Sequence, residues 1–260
     1  MLLAIDIGNT TVALGVFEGK QLLKDWGIRS VREKTADEYS ITLLELLRAS
    51  GLVPTAIKGA IISSVVPPLT PAFQALCQSL FGLRALVVGP GLKTGMPILY
   101  ENPGEVGADR VVASVAAFEK YGGPVIVVDF GTATTFDAVT AKGEYLGGAI
   151  APGIQISAEA LYLRTAKLPR IEVAKPKKAI GKTTVSSMQA GIYFGYVGLV
   201  NNIIAEISRE LEAQPQIVVT GGFAFQLGPE IKVPHHHEPH LVLEGLRVLF
   251  EKNREERAAA

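Results

Sequence analysis

The chain has 260 residues, 48% of them apolar, which is enough to bury one extended core or two fused smaller ones and argues against a disordered chain. Its 25 basic and 25 acidic side chains cancel, so no net field draws it to nucleic acid or to an anionic membrane surface. The single cysteine, Cys77, excludes an intrachain disulfide and fits a reducing compartment.

The N-terminus opens with Met1-Leu2-Leu3-Ala4-Ile5 and reaches Asp6 at once, without the basic start and long apolar stretch of an export signal. Apolar runs elsewhere are broken by Gly, Pro or charge and fall short of the ~20 residues a membrane span needs. The expectation is a soluble cytoplasmic protein. After the first strand come a second strand, a glycine turn at Gly19-Lys20 and a third strand. Thr35-Ala36-Asp37-Glu38 then has the spacing of a helix capping box, and Ile41, Leu44 and Leu47 supply the apolar stripe of a helix from about Thr35 to Ser50. A buried strand over 60–66, a Pro-rich turn, a helix over 73–80 that takes in Cys77, and a strand over 85–88 complete an α/β alternation. A helical run, Val111 to Phe118, leads out of this half.

The second half starts as the first does. An apolar strand ending in Asp-x-Gly-x-x-Thr occurs at Leu2 to Thr11 and again at Val125 to Thr134, with the two aspartates 123 residues apart. A Lys142-Gly143 turn answers Gly19-Lys20, so a two-residue hairpin is expected in both halves. Helices over 154–164 and 185–211, a strand over 216–220 and a final helix after Pro239 follow, and the tail from Glu251 is expected to fray. The pattern predicts two duplicated α/β halves, 1–115 and 116–260, each opening with its own loop.

A strand that ends in aspartate and turns through glycine places a carboxylate beside exposed backbone N–H groups, and the following hydroxyls add donors that suit phosphate oxygens. The carboxylate itself would repel phosphate, so its useful role is to hold a hydrated divalent cation. One such loop alone reads better as an Asx-type turn before a β-prone stretch; two copies opening equivalent halves favour phosphate binding. The first loop, Asp6, Ile7, Gly8, Asn9, Thr10, Thr11 with Val12 and Ala13, is the candidate donor site, with Asp6 on the Mg²⁺ side.

This arrangement resembles the acetate kinase, sugar kinase, Hsp70 and actin superfamily, which implies two RNase H-like domains with a cleft between them and ATP as ligand. Val218-Val219-Thr220-Gly221-Gly222 is similar to the superfamily's adenosine-side glycine pair. With Gly107-Ala108-Asp109-Arg110 between the loops, the chain resembles more specifically the type III pantothenate kinases. On residues alone, Asp109 and Arg110 are also a helix-dipole carboxylate and a surface pair. The resemblance implies transfer of phosphate from ATP to pantothenate, giving 4′-phosphopantothenate in the first step of coenzyme A biosynthesis. It makes Asp109 the catalytic base and Tyr100, Gly107, Ala108, Asp109, Arg110 and Thr184 the pantothenate contacts. Thr184, just before a helix, is also a natural N-cap. The resemblance further implies an ATP contact at Thr132, a monovalent cation (K⁺ or NH₄⁺) at Asp129 and a homodimer, in which Thr184 serves the neighbouring chain. Spacing alone does not distinguish K⁺ from Mg²⁺ at Asp129. Another kinase of the same superfamily, or a nucleotide-binding transcription accessory factor, is the competing expectation.

Three further stretches carry no site. The His235-His236-His237 run lacks the spacing of a tetrahedral metal set. Lys175-Pro176-Lys177-Lys178 reads as a solvated loop, and Gly89-Pro90-Gly91-Leu92-Lys93-Thr94-Gly95 has the wrong spacing for a Walker loop.

Overall fold

The structure, a computed structural model, describes residues 1–259. The chain divides into two compact units, Met1–Ala116 together with the segment from His240, and Ala117–Pro239. Among the described residues each unit holds one five-stranded sheet.

In the first unit β1 (Leu2–Ile7), β2 (Thr11–Glu18) and β3 (Gln21–Arg29) form an antiparallel meander. The chain then passes through α1 (Ala36–Ala49), β4 (Gly59–Ser64), α2 (Thr70–Phe81) and β5 (Leu86–Val87), and the sheet order is β3-β2-β1-β4-β5, with β4 parallel to β1 and β5. The β1 strand is almost continuously buried because both faces are covered. Leu3, Ile5 and Ile7 join Leu14, Ile62, Phe73 and Leu76 in one core. The α1 helix begins where its sequence signals it: Thr35 Oγ accepts from the Glu38 amide at 3.3 Å, and the Glu38 carboxylate accepts from the Thr35 amide at 2.8 Å.

Helix α3 (Ala108–Tyr121) leads into the second unit. There β6 (Val125–Phe130), β7 (Ala133–Val139) and β8 (Tyr145–Pro152) form a second meander, followed by α4 (Ile154–Arg164), α5 (Thr184–Glu210), β9 (Gln216–Thr220), the short α6 (Ala224–Leu227) and β10 (His236–His237). The order β8-β7-β6-β9-β10 repeats that of the first sheet, strand for strand. The duplication read from two loops therefore extends through both sheets. By length and composition α5 would suffice to cross a membrane. Its Met188, Tyr193, Tyr196, Val200 and Ile204, however, form a stripe buried in the unit's core with Val128, Phe130 and Phe136.

Three expectations change. The final helix, α7 (Leu241–Ala259), does not belong to the second half: it covers the first sheet. The sheet face opposite the α1–α2 core carries Ala4, Gly15, Gly59 and Ile61 and has to be shielded from water. A Cβ on Gly15 would come within 3.0 Å of Leu243, and one on Gly59 within 2.3 Å of Phe250, so glycines make room for α7. It also crosses α3 closely at Gly245, where a Cβ would meet the Val112 carbonyl at 2.2 Å. Second, α7 continues helical through the segment expected to fray, as far as Ala259; Ala260 lies outside the described residues. Third, of the two turns expected at Gly19-Lys20 and Lys142-Gly143, the first is a two-residue hairpin and the second is not. The β7–β8 connection is longer, closed by Thr140, whose hydroxyl accepts from the amides of Lys142 and Glu144 at 3.2 Å each.

Candidate active site

The two loops hold the same place in their sheets. Asp6 lies opposite Ala13 on β2 and beside Ser63 on β4; Asp129 lies opposite Thr135 on β7 and beside Thr220 on β9. Each loop closes through its glycine, Gly8 N–H to the Thr11 carbonyl at 3.0 Å and Gly131 N–H to the Ala133 carbonyl at 3.1 Å. Both aspartates are partly buried, whereas Asn9, Thr10 and Thr11 in one loop and Thr132 in the other are exposed to a ligand.

Their surroundings differ. The first loop has three residues between strands and the second two. Asp6 neighbours a fully buried Ser63 whose hydroxyl has no hydrogen-bond partner among the described residues. Asp129 neighbours two threonine hydroxyls in register and is pressed by backbone, since a Cβ on Gly221 would lie 2.3 Å from its Oδ1. Gly221 also has φ +94°, a conformation that side chains disfavour. The first glycine of the Gly221-Gly222 pair is thus required by Asp129; only Gly222 faces open space.

Among the described residues no group of three or more His, Cys, Asp or Glu side chains converges on one point, so neither aspartate belongs to an all-protein metal cage. A single carboxylate flanked by hydroxyls and backbone is instead the donor set of a hard cation that keeps water and phosphate oxygens in its shell. Both loops fit such an ion by their oxygen chemistry.

Asp109 stands in the first turn of α3. The Arg110 amide donates to its Oδ1 at 2.8 Å, and Gly107 accepts at its carbonyl from the Arg110 and Val111 amides at 3.1 and 3.3 Å. A Cβ on Gly107 would fall 2.5 Å from Asp109 Oδ1, so the glycine opens the space the carboxylate uses. Burial raises the Asp109 carboxyl above its ordinary value; the Arg110 amide and guanidinium pull the other way and do not cancel it. A carboxylate of increased basicity, with a glycine beside it in place of a side chain, suits proton abstraction from a hydroxyl. Tyr100 is exposed, in the irregular segment that precedes this turn.

Thr184 is placed differently from a cap. Thr183 is the N-cap of α5, its hydroxyl accepting from the Ser186 amide at 3.1 Å, and Thr184 is the first helical residue, exposed. The capping role therefore falls to Thr183 and leaves the Thr184 hydroxyl free of it.

Residues 2–206 match the family described as type III pantothenate kinase. A type III pantothenate kinase of Geobacter sulfurreducens is 54% identical over 98% of this chain and all of the relative's length, and one of Moorella thermoacetica is 53% identical over 97% and all of the relative. The chain belongs to the type III pantothenate kinase family. Solved structures agree on fold. A Campylobacter jejuni protein assigned to the Baf family of transcriptional activators superposes with a TM-score of 0.60 at 17% identity, covering 97% of this chain and 99% of that one. An inorganic polyphosphate/ATP-glucomannokinase from an Arthrobacter strain gives 0.51 at 14% identity, covering 97% and 98%. At such identities the likeness is one of architecture, two RNase H-like units of the sugar kinase and actin type, and says nothing about which of these activities this pantothenate kinase family member shares.

Sequence reasoning gave Ser63 no part in a site, and it met Thr135 and Thr220 only as members of the second loop and of the glycine-pair stretch; the strand register is what brings all three beside the two aspartates. The stretches set aside in the sequence are engaged in contacts of the fold. His235 Nδ1 donates to the Val233 carbonyl, His236 meets Gln216 at 3.1 Å and stacks on Tyr121, and Lys175 pairs with Glu230. The backbone of Lys93 is held by Asn253 of α7, with no helix following it.

Proposed function

We propose that the chain transfers the γ-phosphoryl group of ATP to the primary hydroxyl of pantothenate, giving 4′-phosphopantothenate and opening coenzyme A biosynthesis. Family membership over nearly the whole chain nominates the acceptor. The structural observation that carries the chemistry is Asp109, a carboxylate with raised basicity at the start of α3, fronted by a glycine that leaves its oxygen accessible. Asp109 takes the proton of the attacking hydroxyl, and Arg110 together with the backbone of Gly107 and Ala108 binds the acceptor and offsets charge as it develops. Tyr100 contacts the acceptor, and so does Thr184.

Both loops serve the donor. The segment from Asp6 to Ala13 supplies backbone N–H groups and hydroxyls to the phosphates, and Thr132 contributes from the second loop. Asp6 is the residue that would hold Mg²⁺, and Asp129, between Thr135 and Thr220, the one that would hold a monovalent cation such as K⁺ or NH₄⁺. Such ions supply neutralisation of the phosphate charge during transfer.

The protein works as a cytoplasmic homodimer in this reading. Helices α4 and α5 leave Ile156, Tyr162, Leu163, Val185 and Phe194 at 39–70% exposure, apolar surface of the kind a second copy covers, and Thr184 begins the longer of these helices.

ADP release measured with pantothenate, hexoses, acetate and no acceptor, in the presence of Mg²⁺ and K⁺, tests the reading. Turnover with pantothenate alone is expected. Turnover only with a sugar would assign the chain to another kinase activity of the same fold, and nucleotide binding without turnover on any acceptor would make it a regulator.

A further inference from the structure

The internal duplication allows the two cores to be compared position by position, and one substitution stands out. Ile7 pairs with Val12 in the first unit, and the equivalent pair in the second is Phe130 with Thr134. Val12 is fully buried in an apolar core, as its position requires. Thr134 is just as buried, at 1% exposure, but it brings a hydroxyl into the core of the second unit. Burying a hydroxyl is unfavourable unless it is hydrogen-bonded, so the polar group needs a partner and a reason.

Its partner is Tyr196 of α5, itself 5% exposed: the two hydroxyls form a hydrogen bond. Burial raises the Tyr196 phenol above its ordinary value, so the hydroxyl stays neutral and able to hold that bond, and Tyr196 shares one buried core with Phe130 and Ile154. Ile154 is the first residue of α4. Immediately before it, the Gly153 amide donates to the Thr132 carbonyl at 3.2 Å, and a Cβ on Gly153 would meet the carbonyls of Thr132 and Gly131 at 2.3 and 2.7 Å. The start of α4 is thus seated directly on the backbone of the second loop. One hydroxyl thus ties the strand that leaves the loop to α5, which packs in the same core as the start of α4.

We propose that Tyr196 is a positioning residue for nucleotide binding: through Thr134 and the first turn of α4 its hydroxyl fixes the backbone of Gly131 and Thr132, so that Thr132 is held ready for ATP. The inference rests on the reading of the second loop as a donor contact. The first unit needs no such device at Val12, because its loop is one residue longer and carries its ligand groups on Asn9, Thr10 and Thr11.

The test is steady-state kinetics of Tyr196→Phe, which keeps the ring and removes only the oxygen, alongside Thr134→Val, Thr134→Ser, the Phe/Val double variant and Thr132→Ala, with thermal melting of each. The expected result is an ATP KM raised roughly five- to tenfold in Tyr196→Phe and Thr134→Val, the size of effect one hydrogen bond carries. The KM for pantothenate is expected to stay within twofold. Thr134→Ser, which keeps a hydroxyl, should retain the wild-type ATP KM, and the double variant should be no worse than the poorer single one, because both partners of one interaction are gone. A lowered melting temperature with an unchanged ATP KM would reduce the pair to core packing and overturn the proposal. If Thr132→Ala raises the ATP KM and Tyr196→Phe does not, the positioning role fails while the loop's donor role survives. If neither changes it, both fail.

Discussion

Asp6 and Asp129 sit at the same register position of two sheets with the same strand order, yet the residues around them have diverged. The first has Ala13 and a buried serine beside it and is followed by a longer, exposed, polar loop. The second has threonines on both neighbouring strands, the backbone of Gly221 against its carboxylate, and a shorter loop seated on α4. Duplication supplied two turns of one kind, and the strands adjacent to each set its surroundings. The first presents three exposed polar residues, the second one carboxylate and one exposed threonine on a shorter loop.

The acid on α3 has no counterpart in either loop, and its loss is expected to have the largest effect. Asp109→Asn should lower kcat by about 10²- to 10⁴-fold, the range that a general base contributes, with the ATP KM nearly unchanged. Wild-type turnover in that variant would remove Asp109 from the chemistry. Because burial raises the folded-state pKa of Asp109, the wild-type rate should fall as pH drops through that raised value. The same shift costs stability in the opposite direction: folding favours the protonated form, so stability declines as pH rises through the folded pKa. Asp109→Asn should therefore melt no lower than wild type at neutral pH, and its relative advantage should shrink toward acid pH. A melting temperature well below wild type at neutral pH would contradict the assignment of that shift to burial.

Exchanging the two aspartates separates the loops. Asp6→Asn is expected to raise the Mg²⁺ concentration for half-maximal rate, and Asp129→Asn the K⁺ concentration, each by at least the roughly tenfold that even the loss of an outer-sphere partner costs. Identical cation profiles for the two variants would show that the loops had not specialised. Glycine exchanges probe the same contrast through stability. Gly221→Ala combines a positive φ with a Cβ 2.3 Å from Asp129 and should cost ~1–3 kcal/mol in denaturant unfolding. Gly8→Ala meets only the Thr11 carbonyl, at 3.0 Å, and should cost less. The smallest effect is expected far from both loops: Thr35→Ala removes the α1 cap, lowering stability by about 1 kcal/mol with kcat and KM unchanged.

The pattern of what the sequence disclosed follows the range of the forces involved. The α1 boundaries were readable because Thr35 and Glu38 act three residues apart, and the β1–β2 and β6–β7 loops because their aspartate, glycine and threonines are contiguous. Gly107 to Arg110 was readable for the same reason. What stayed hidden depends on contacts across long stretches of chain. The return of α7 to the first sheet depends on Gly15 and Gly59, whose lack of a side chain gains meaning only when Leu243 and Phe250 lie against them. The pairing of Ser63 with Asp6, of Thr220 with Asp129 and of Tyr196 with Thr134 comes from register and helix packing, which no local spacing encodes. The choice of Thr183 over Thr184 as the α5 cap turns on a one-residue difference where two threonines offer the same hydroxyl.

The most direct measurement is the mass of the product formed when the purified protein is incubated with ATP, Mg²⁺, K⁺ and pantothenate, run beside Asp109→Asn. A pantothenate-derived species heavier by one phosphoryl group, formed with stoichiometric ADP by the wild type and nearly abolished in the variant, is the predicted result. ADP without a phosphorylated pantothenate, or equal product from both proteins, would contradict it.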